Sequence, residues 1–356
     1  MTYSDLHLPH ITLLTGALTT FSICLLIVLT KSWHGHLTLD QSSGVQKFHA
    51  EPTPRVGGIA LMIGLAFTWF LVMEPVKDIL KNMLIASLPA FIFGTAEDIT
   101  KKVSVKARLL ATIFSGVVAW WITGISITNV DIWGFDSLLQ WLPISVMFTA
   151  IAIGGFANSI NIIDGFNGLA SGVLFICLTA LGMIAFAAGD LDMAKVCFIL
   201  GSTLIGFFII NYPFGKIFLG DGGAYLFGFL VSWVAILIAS RNSAVSPWAV
   251  VLACGYPIVE VVFSISRRFI RNVSPGHPDR LHLHSLVRSR IIRKYINSSN
   301  TTIKNAVVAP FIWILAVIIS SLGVLFYKNT MILMIAFSLF FILYGLIYST
   351  IIRLKS

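Results

Sequence analysis

In Lys216-Ile-Phe-Leu-Gly-Asp-Gly-Gly (216–223), one carboxylate, Asp221, stands among glycines where an apolar stretch begins. It is either a plain helix N-cap or a ligand for a hard cation such as Mg2+. Such a cation takes one or two carboxylates together with substrate phosphates. Glycine-framed amides at a helix N-terminus also suit phosphate. In 158–168, Asn158, Asn161, Asp164 and Asn167 recur every third residue. If the segment stays helical they share one face and form a short ladder of amides and a carboxylate. A glycine C-cap explains Gly165 and Gly168 but not four periodic polar groups. Glu97 and Asp98 are adjacent acids, followed by Lys101, Lys102, Lys106 and Arg108. Neighbouring carboxylates repel, and a nearby cation relieves them; Lys101 and Lys102 suit a solvated loop that anchors topology.

A fourth cluster, Pro278-Asp-Arg-Leu-His-Leu-His (278–284), lies between Arg267, Arg268 and Arg271 on one side and Arg288, Arg290, Arg293 and Lys294 on the other. His282 and His284 could be metal ligands, but histidine with so many arginines around it reads better as a grip on a diphosphate. The outer arginines suit lipid headgroups. Glu260, inside an apolar stretch, is a functional candidate by its setting or a structural partner of Arg267 and Arg268.

The elements that position these residues must be membrane helices. Of 356 residues, 57% are hydrophobic and 11% charged, against roughly 25% charged in soluble domains. That excludes one large soluble core and, with 27 Phe and 9 Trp, disorder. Apolar segments of the ~20 residues a crossing needs fall near 11–30, 56–74, 79–96, 107–124, 138–157, 168–188, 194–211, 222–240, 247–266, 306–326 and 330–351. The segment 79–96 is the weakest, being interrupted by Lys81, Asn82 and Pro89. The expected fold is all-α, a polytopic integral membrane protein of about eleven transmembrane helices. It forms a single membrane-embedded domain over 1–356, with the polar loop 267–305 as part of the site. The four cysteines fall singly in apolar segments, without the spacing of a disulfide framework or zinc site. The first ten residues lack the basic n-region of a cleavable signal, so the first span is expected to remain. Assigning loops alternately puts 19 of the 24 Lys and Arg on one side and 5 on the other. The positive-inside rule makes the first side cytoplasmic, with the N-terminus outside and the C-terminus inside. The same parity puts the clusters around Lys47–Arg55, Glu97–Arg108, Asn158–Asn167, Lys216–Asp221 and Arg267–Arg293 on the cytoplasmic face. The net charge of +9 follows from topology and anionic lipid, without nucleic acid.

Pro-Thr-Pro-Arg-Val-Gly-Gly (52–58), Gly-x-x-Glu-Asp (94–98), Ser-Val-Lys (104–106), the 158–168 ladder, Phe-Leu-Gly-Asp-Gly-Gly and Pro-Asp-Arg-Leu-His-Leu-His occur in that order. With them the chain resembles the polyprenyl-phosphate N-acetylhexosamine-1-phosphate transferases over nearly its whole length. The last motif looks like the bacterial branch that starts O-antigen, enterobacterial common antigen or teichoic acid linkage units. The resemblance implies transfer of a sugar-1-phosphate from a UDP-N-acetylhexosamine to undecaprenyl phosphate, with release of UMP and Mg2+ (or Mn2+) as cofactor. It implies Asp221 as principal metal ligand with Asn161, Phe218 stacked on uracil, and Asn167 at the uridine. Glu97 and Asp98 would lie near the lipid phosphate, and Lys106, Arg280, His282 and His284 around the phosphates. Asp164 joins the candidate catalytic set, and Lys47 and Asn158 the candidate substrate contacts. Two positions depart from the pattern. Glu97 stands where the pair is usually Asp-Asp, and Asn167 where bacterial relatives carry Asp. The expected chemistry is direct attack by the lipid phosphate on the β-phosphorus, with Asp98 positioning or deprotonating; a covalent phosphosugar on a carboxylate is the alternative. The rival of another class is a transporter or flippase of lipid-linked sugars, which would place its site near the midplane and show internal repeats; no repeat is visible. A CDP-alcohol phosphotransferase motif is absent. The sugar is open, with GlcNAc the default, and the reading leaves room for a homodimer.

Overall fold

The computed structural model describes residues 10–40, 52–272, 281–296 and 300–354. The chain opens with α1 (His10–Leu29) and α2 (Lys31–Thr38). A two-residue antiparallel ladder follows, β1 (Leu39–Asp40) against β2 (Thr53–Pro54), with Leu39 opposite Pro54. Then come α3 (Gly57–Leu71), α4 (Val76–Thr100), α5 (Val105–Thr123), the short α6 (Phe135–Leu139), α7 (Leu142–Ile163), α8 (Leu169–Ala188), α9 (Leu191–Asn211) and α10 (Gly220–Arg241). The last third holds α11 (Pro247–Ala253), α12 (Gly255–Ile270), α13 (Leu283–Leu286), a π-helical turn (Val287–Ile292), α14 (Arg293–Tyr295), α15 (Thr301–Ala306), α16 (Val308–Leu325) and α17 (Thr330–Arg353).

Among the described residues, nine helices are long and apolar enough to cross a bilayer, counting Thr301–Leu325 as one; α11 and α12, bent by 83°, form a broken span or a re-entrant loop. All eleven apolar segments are therefore helical, but they are not eleven equivalent spans. The odd one is α3. Its 15 residues reach about 23 Å at ~1.5 Å per residue, short of the ~30 Å hydrocarbon core. Residues 53–56 are spent on an extended run instead of a further helical turn. The weakest segment became the longest helix. In α4, Pro89 removes one amide and opens the next hydrogen bond, and Ser115 Oγ on α5 accepts the freed Ala90 N–H at 3.0 Å. A tertiary partner thus outweighs a local breaker.

The centre of the bundle is α10. Every residue from Gly220 to Ile238 is buried, as expected of a helix apolar all round, and it packs on α3, α4, α7 and α8. Its N-terminal turn crosses α4 so closely that a Cβ on Gly94 would sit 2.6 Å from the Asp221 carbonyl oxygen. The four cysteines are free and buried. The polar stretch 267–305 is largely helical where described. Two of its arginines make internal ties: Arg288 Nε donates to Asn305 Oδ1 at 2.9 Å and Arg290 Nη1 to the Leu354 carbonyl at 2.6 Å.

Candidate active site

The site forms where the last turn of α4, the first turn of α5, the end of α7 and the start of α10 meet. Residues 53–58 and 218–219 run alongside each other. Phe218 N–H donates to the Pro54 carbonyl at 2.8 Å, Gly57 N–H to Phe218 O and Gly58 N–H to Leu219 O at 3.0 Å. This clamp brings Arg55 over the start of α10. Gly220 turns the chain into that helix with φ of 74°, and a Cβ there would lie 2.6 Å from Asp98 Oδ2. Only glycine satisfies both demands.

The first amides of α10 do hold an anion, but it is the protein's own. Asp221 N–H donates to Asp98 Oδ1 at 2.9 Å and Gly222 N–H to Asp98 Oδ2 at 2.8 Å. The glycines expected to cradle phosphate instead permit this contact and the close crossing of α4. Arg55 Nε lies 3.3 Å from Asp98 Oδ1, and Arg55 Nη2 donates to Asp221 Oδ1. Arg108 Nη1 pairs with Asp221 Oδ2, and Asn161 Nδ2 donates to Asp221 Oδ1 at 2.9 Å. Both carboxylates are 1% exposed while Arg55 is 28% exposed, so an incoming anion meets guanidinium before carboxylate. Asp164 caps α7, and its carboxylate accepts the Gly220 N–H. Partial burial pushes its pKa up to about 6, against the opposing pull of the Arg55 charge and the Gly220 hydrogen bond. A raised acid is penalised in its ionised form, so the penalty is absent below its unfolded value of ~3.9 and complete above about 6. Asp164→Asn is therefore expected to gain in unfolding temperature over wild type as pH rises from 5 to 7.5 in chelator-containing buffer; a constant difference would refute the shift.

The ladder read from 158–168 is divided. Helix α7 ends at Ile163, so Asn158 and Asn161 lie on it and Asp164 caps it. Asn167 sits across the turn and donates Nδ2 to the Pro213 carbonyl at 2.9 Å. The acidic pair divides as well: Asp98 faces inward, while Glu97 Oε2 accepts the Val103 N–H at 2.8 Å and ties down the connection to α5. Lys106 is exposed in the first turn of α5, and within this basic run it is Arg108 that reaches Asp221. Asn158 and Phe218 are partly buried. His284 stands edge-on to Phe166 at 5.7 Å, against the turn that carries Asp164. His282 stacks on His284 at 5.4 Å. Lys47 and Arg280 lie outside the described residues.

Three further residues shape the site. Arg55 and Arg108 hold its charge, though in the sequence they stand among basic residues that topology already explains. Asn211, buried at the end of α9, accepts the Gly168 N–H at 2.7 Å and donates to the Ile217 carbonyl at 2.7 Å. It thereby pins both turns that flank the site; an amide at the end of an apolar helix was its only signal.

Among the described residues no three His, Cys, Asp or Glu side chains gather as a metal cage. The Asp221 carboxylate is nevertheless buried beside the Asn161 amide, and its Oδ2 is held by the Arg108 ion pair without a further hydrogen bond. One carboxylate with an amide oxygen fits a hard cation that keeps substrate phosphates among its ligands.

Residues 80–239 match the family model described as glycosyl transferase family 4. This region of the chain is similar to that family. Relatives include the undecaprenyl-phosphate alpha-N-acetylglucosaminyl 1-phosphate transferase of Escherichia coli O157:H7, 26% identical over 84% of this chain and 81% of that protein. The protein of that name from Yersinia pestis is 25% identical over 68% of this chain and 67% of its own length. A probable undecaprenyl-phosphate N-acetylglucosaminyl 1-phosphate transferase of Bacillus subtilis (strain 168) is 26% identical over 69% and 68%. The resemblance drawn from the ordered motifs is thus borne out at the level of family. The family match covers Asp98, Arg108, Asn161, Asp164 and Asp221; Arg55 and the histidine pair lie outside it.

Proposed function

We propose that this membrane protein transfers an N-acetylhexosamine-1-phosphate from a UDP-sugar to undecaprenyl phosphate, releasing UMP and starting a lipid-linked envelope glycan. The observation that carries this reading is the meeting of Asp98, Asp164 and Asp221 with Arg55, Arg108 and Asn161 at one end of the bundle. A lipid phosphate oxygen forms the new bond to the β-phosphorus. The bond from that phosphorus to the bridging oxygen breaks, and UMP leaves with the bridging oxygen and its electron pair. Phosphoryl transfer of this kind asks for positioning and charge neutralisation. Arg55, exposed toward the site, and Arg108 supply positive charge, while His284 lies buried against Phe166 beside the turn that carries Asp164. Asp221 and Asn161 would hold Mg2+, which when bound neutralises phosphate charge. Asp98 takes a positioning role: both its oxygens accept backbone N–H groups, which leaves it poorly placed as a proton acceptor.

The orientation proposed is eleven passes, with the short α3 and the bent α11–α12 pair each counted as one, N-terminus outside and the site on the cytoplasmic face of the inner membrane. Supporting it, Asp98, Asp164, Asp221 and Arg55 share one end of the bundle, whereas the Arg241–Asp190 bridge ties the opposite end. A site at one end also speaks against alternating-access transport. The test is UMP release by the purified full chain, given undecaprenyl phosphate, a panel of UDP-N-acetylhexosamines and Mg2+. Release that needs the lipid and stops with chelator is expected. Silence across the panel would reject the reaction, and labelled enzyme after UDP-sugar alone would replace direct attack by a covalent route.

A further inference from the structure

Glu260 is fully buried on α12, a setting in which a carboxylate is costly unless every oxygen is satisfied. Its partners are not the nearby arginines. Oε2 accepts the hydroxyls of Tyr256 at 3.0 Å and Tyr344, from α17, at 2.7 Å. Oε1 lies 3.0 Å from His282 Nδ1. Arg267 instead donates to the Leu281 carbonyl at 2.5 Å and to Tyr348 Oη at 3.0 Å. A carboxylate is an acceptor only, so His282 Nδ1 carries the proton and the Nε2 edge points away from Glu260. Ser264 Oγ, 3.2 Å from the same nitrogen, closes that edge of the ring. The His282 ring lies parallel to His284, within 2°, and His284 in turn rests on Phe166. Helices α12 and α17 are thereby linked through two hydroxyls, one carboxylate and two stacked imidazoles to the turn that carries Asp164.

We infer that Glu260 is a positioning residue for the transfer reaction: with Tyr256 and Tyr344 it fixes the tautomer and tilt of His282, and through the ring stack the placement of His284 at the phosphates. The inference rests on the reaction proposed above. A buried carboxylate that served packing alone would not need to direct one of its oxygens at a histidine that leads into the site. Hydrogen-bond partners that orient metal-ligating histidines are commonly worth about 10- to 100-fold in affinity or activity, and an orienting partner of a phosphate-facing histidine is expected to act on the same scale.

The test uses the full-length protein in nanodiscs, with UMP release as readout and four forms: wild type, Glu260→Gln, His282→Ala and the double variant. Glu260→Gln is expected to lower kcat about 10- to 100-fold and to change KM for the UDP-sugar little. In the His282→Ala background it is expected to cost nothing further, because both changes break one unit. Losses that multiply, or wild-type kcat in Glu260→Gln, would overturn the inference. Tyr344→Phe keeps the ring and removes one donor, and decides the matter if Glu260→Gln does not fold. A fall in kcat at unchanged unfolding temperature supports positioning, and unchanged kcat overturns it. If wild type itself releases no UMP, the reaction proposal fails and takes this inference with it; turnover by wild type with an insensitive Glu260 defeats the inference alone.

Discussion

Asp221→Asn is expected to lower UMP release by roughly 10³-fold, the scale seen when one preorganised electrostatic group is removed. The asparagine keeps an oxygen for the Asn161 Nδ2 hydrogen bond and nearly the same volume, so α10 is expected to keep its place. What it loses is the negative charge on which Arg55, Arg108 and a hard cation all depend. Breaking a fully buried ion pair costs ~3–5 kcal/mol. Here Arg55 is 28% exposed and keeps Asp98 beside it, so the loss is smaller and falls chiefly on Arg108, 12% exposed, which would face the new NH2 group donor against donor. Activity and thermal unfolding in detergent should therefore separate: a near-complete loss of turnover with a modest drop in unfolding temperature. Turnover within tenfold of wild type would remove Asp221 from the centre of the chemistry.

Asp98→Asn is expected to fail in a different manner. The carboxylate accepts two backbone N–H groups, one on each oxygen, and an amide can serve only one of them. Its NH2 would face the second N–H, donor against donor. Leaving one buried donor unmet costs ~1–3 kcal/mol, and the loss falls on the first turn of α10, which carries Asp221. Both unfolding temperature and kcat should drop together. If Asp98 acted as the proton acceptor as well, Asp98→Asn would abolish turnover altogether, far beyond what the same drop in unfolding temperature accounts for. Measuring both quantities on one preparation distinguishes the two roles.

Much of this arrangement could be read from the chain, for physical reasons that also set the limits. Helical class followed from a charge content too low for any water-facing surface. Asp221, Asn161, Asp164 and Asp98 stood out because polar groups are expensive in apolar surroundings and so rarely placed without purpose. Their partners were harder to see. Arg55 and Arg108 looked like ordinary basic residues at the ends of spans, and only the backbone pairing of 53–58 with 218–219 shows Arg55 reaching inward. The periodic ladder ended at Asp164 because α7 stops there, and spacing alone does not reveal where a helix stops. The glycines of 220–223 read as a phosphate cradle and serve instead a tight helix crossing with an internal carboxylate. Glu97 and Asp98, alike in chemistry, part because successive side chains on a helix diverge by about 100° (3.6 residues per turn). The stretch 267–305 read as a loop from its charge, yet its described residues fold largely into short helices whose arginines are partly spent on Asn305 and Leu354. Glu260 was noticed for its setting and His282 for its cluster, but not their pairing across 22 residues.

The bond from Ala90 to Ser115 carries a lesson about biogenesis. Released alone into lipid, α4 would present an unmet amide to hydrocarbon, where each such group costs several kcal/mol. The hydroxyl that relieves it arrives one helix later in synthesis. Insertion of this segment is therefore best served by a paired entry, α4 waiting at the edge of the translocation machinery until α5 emerges and the two partition together as a hairpin.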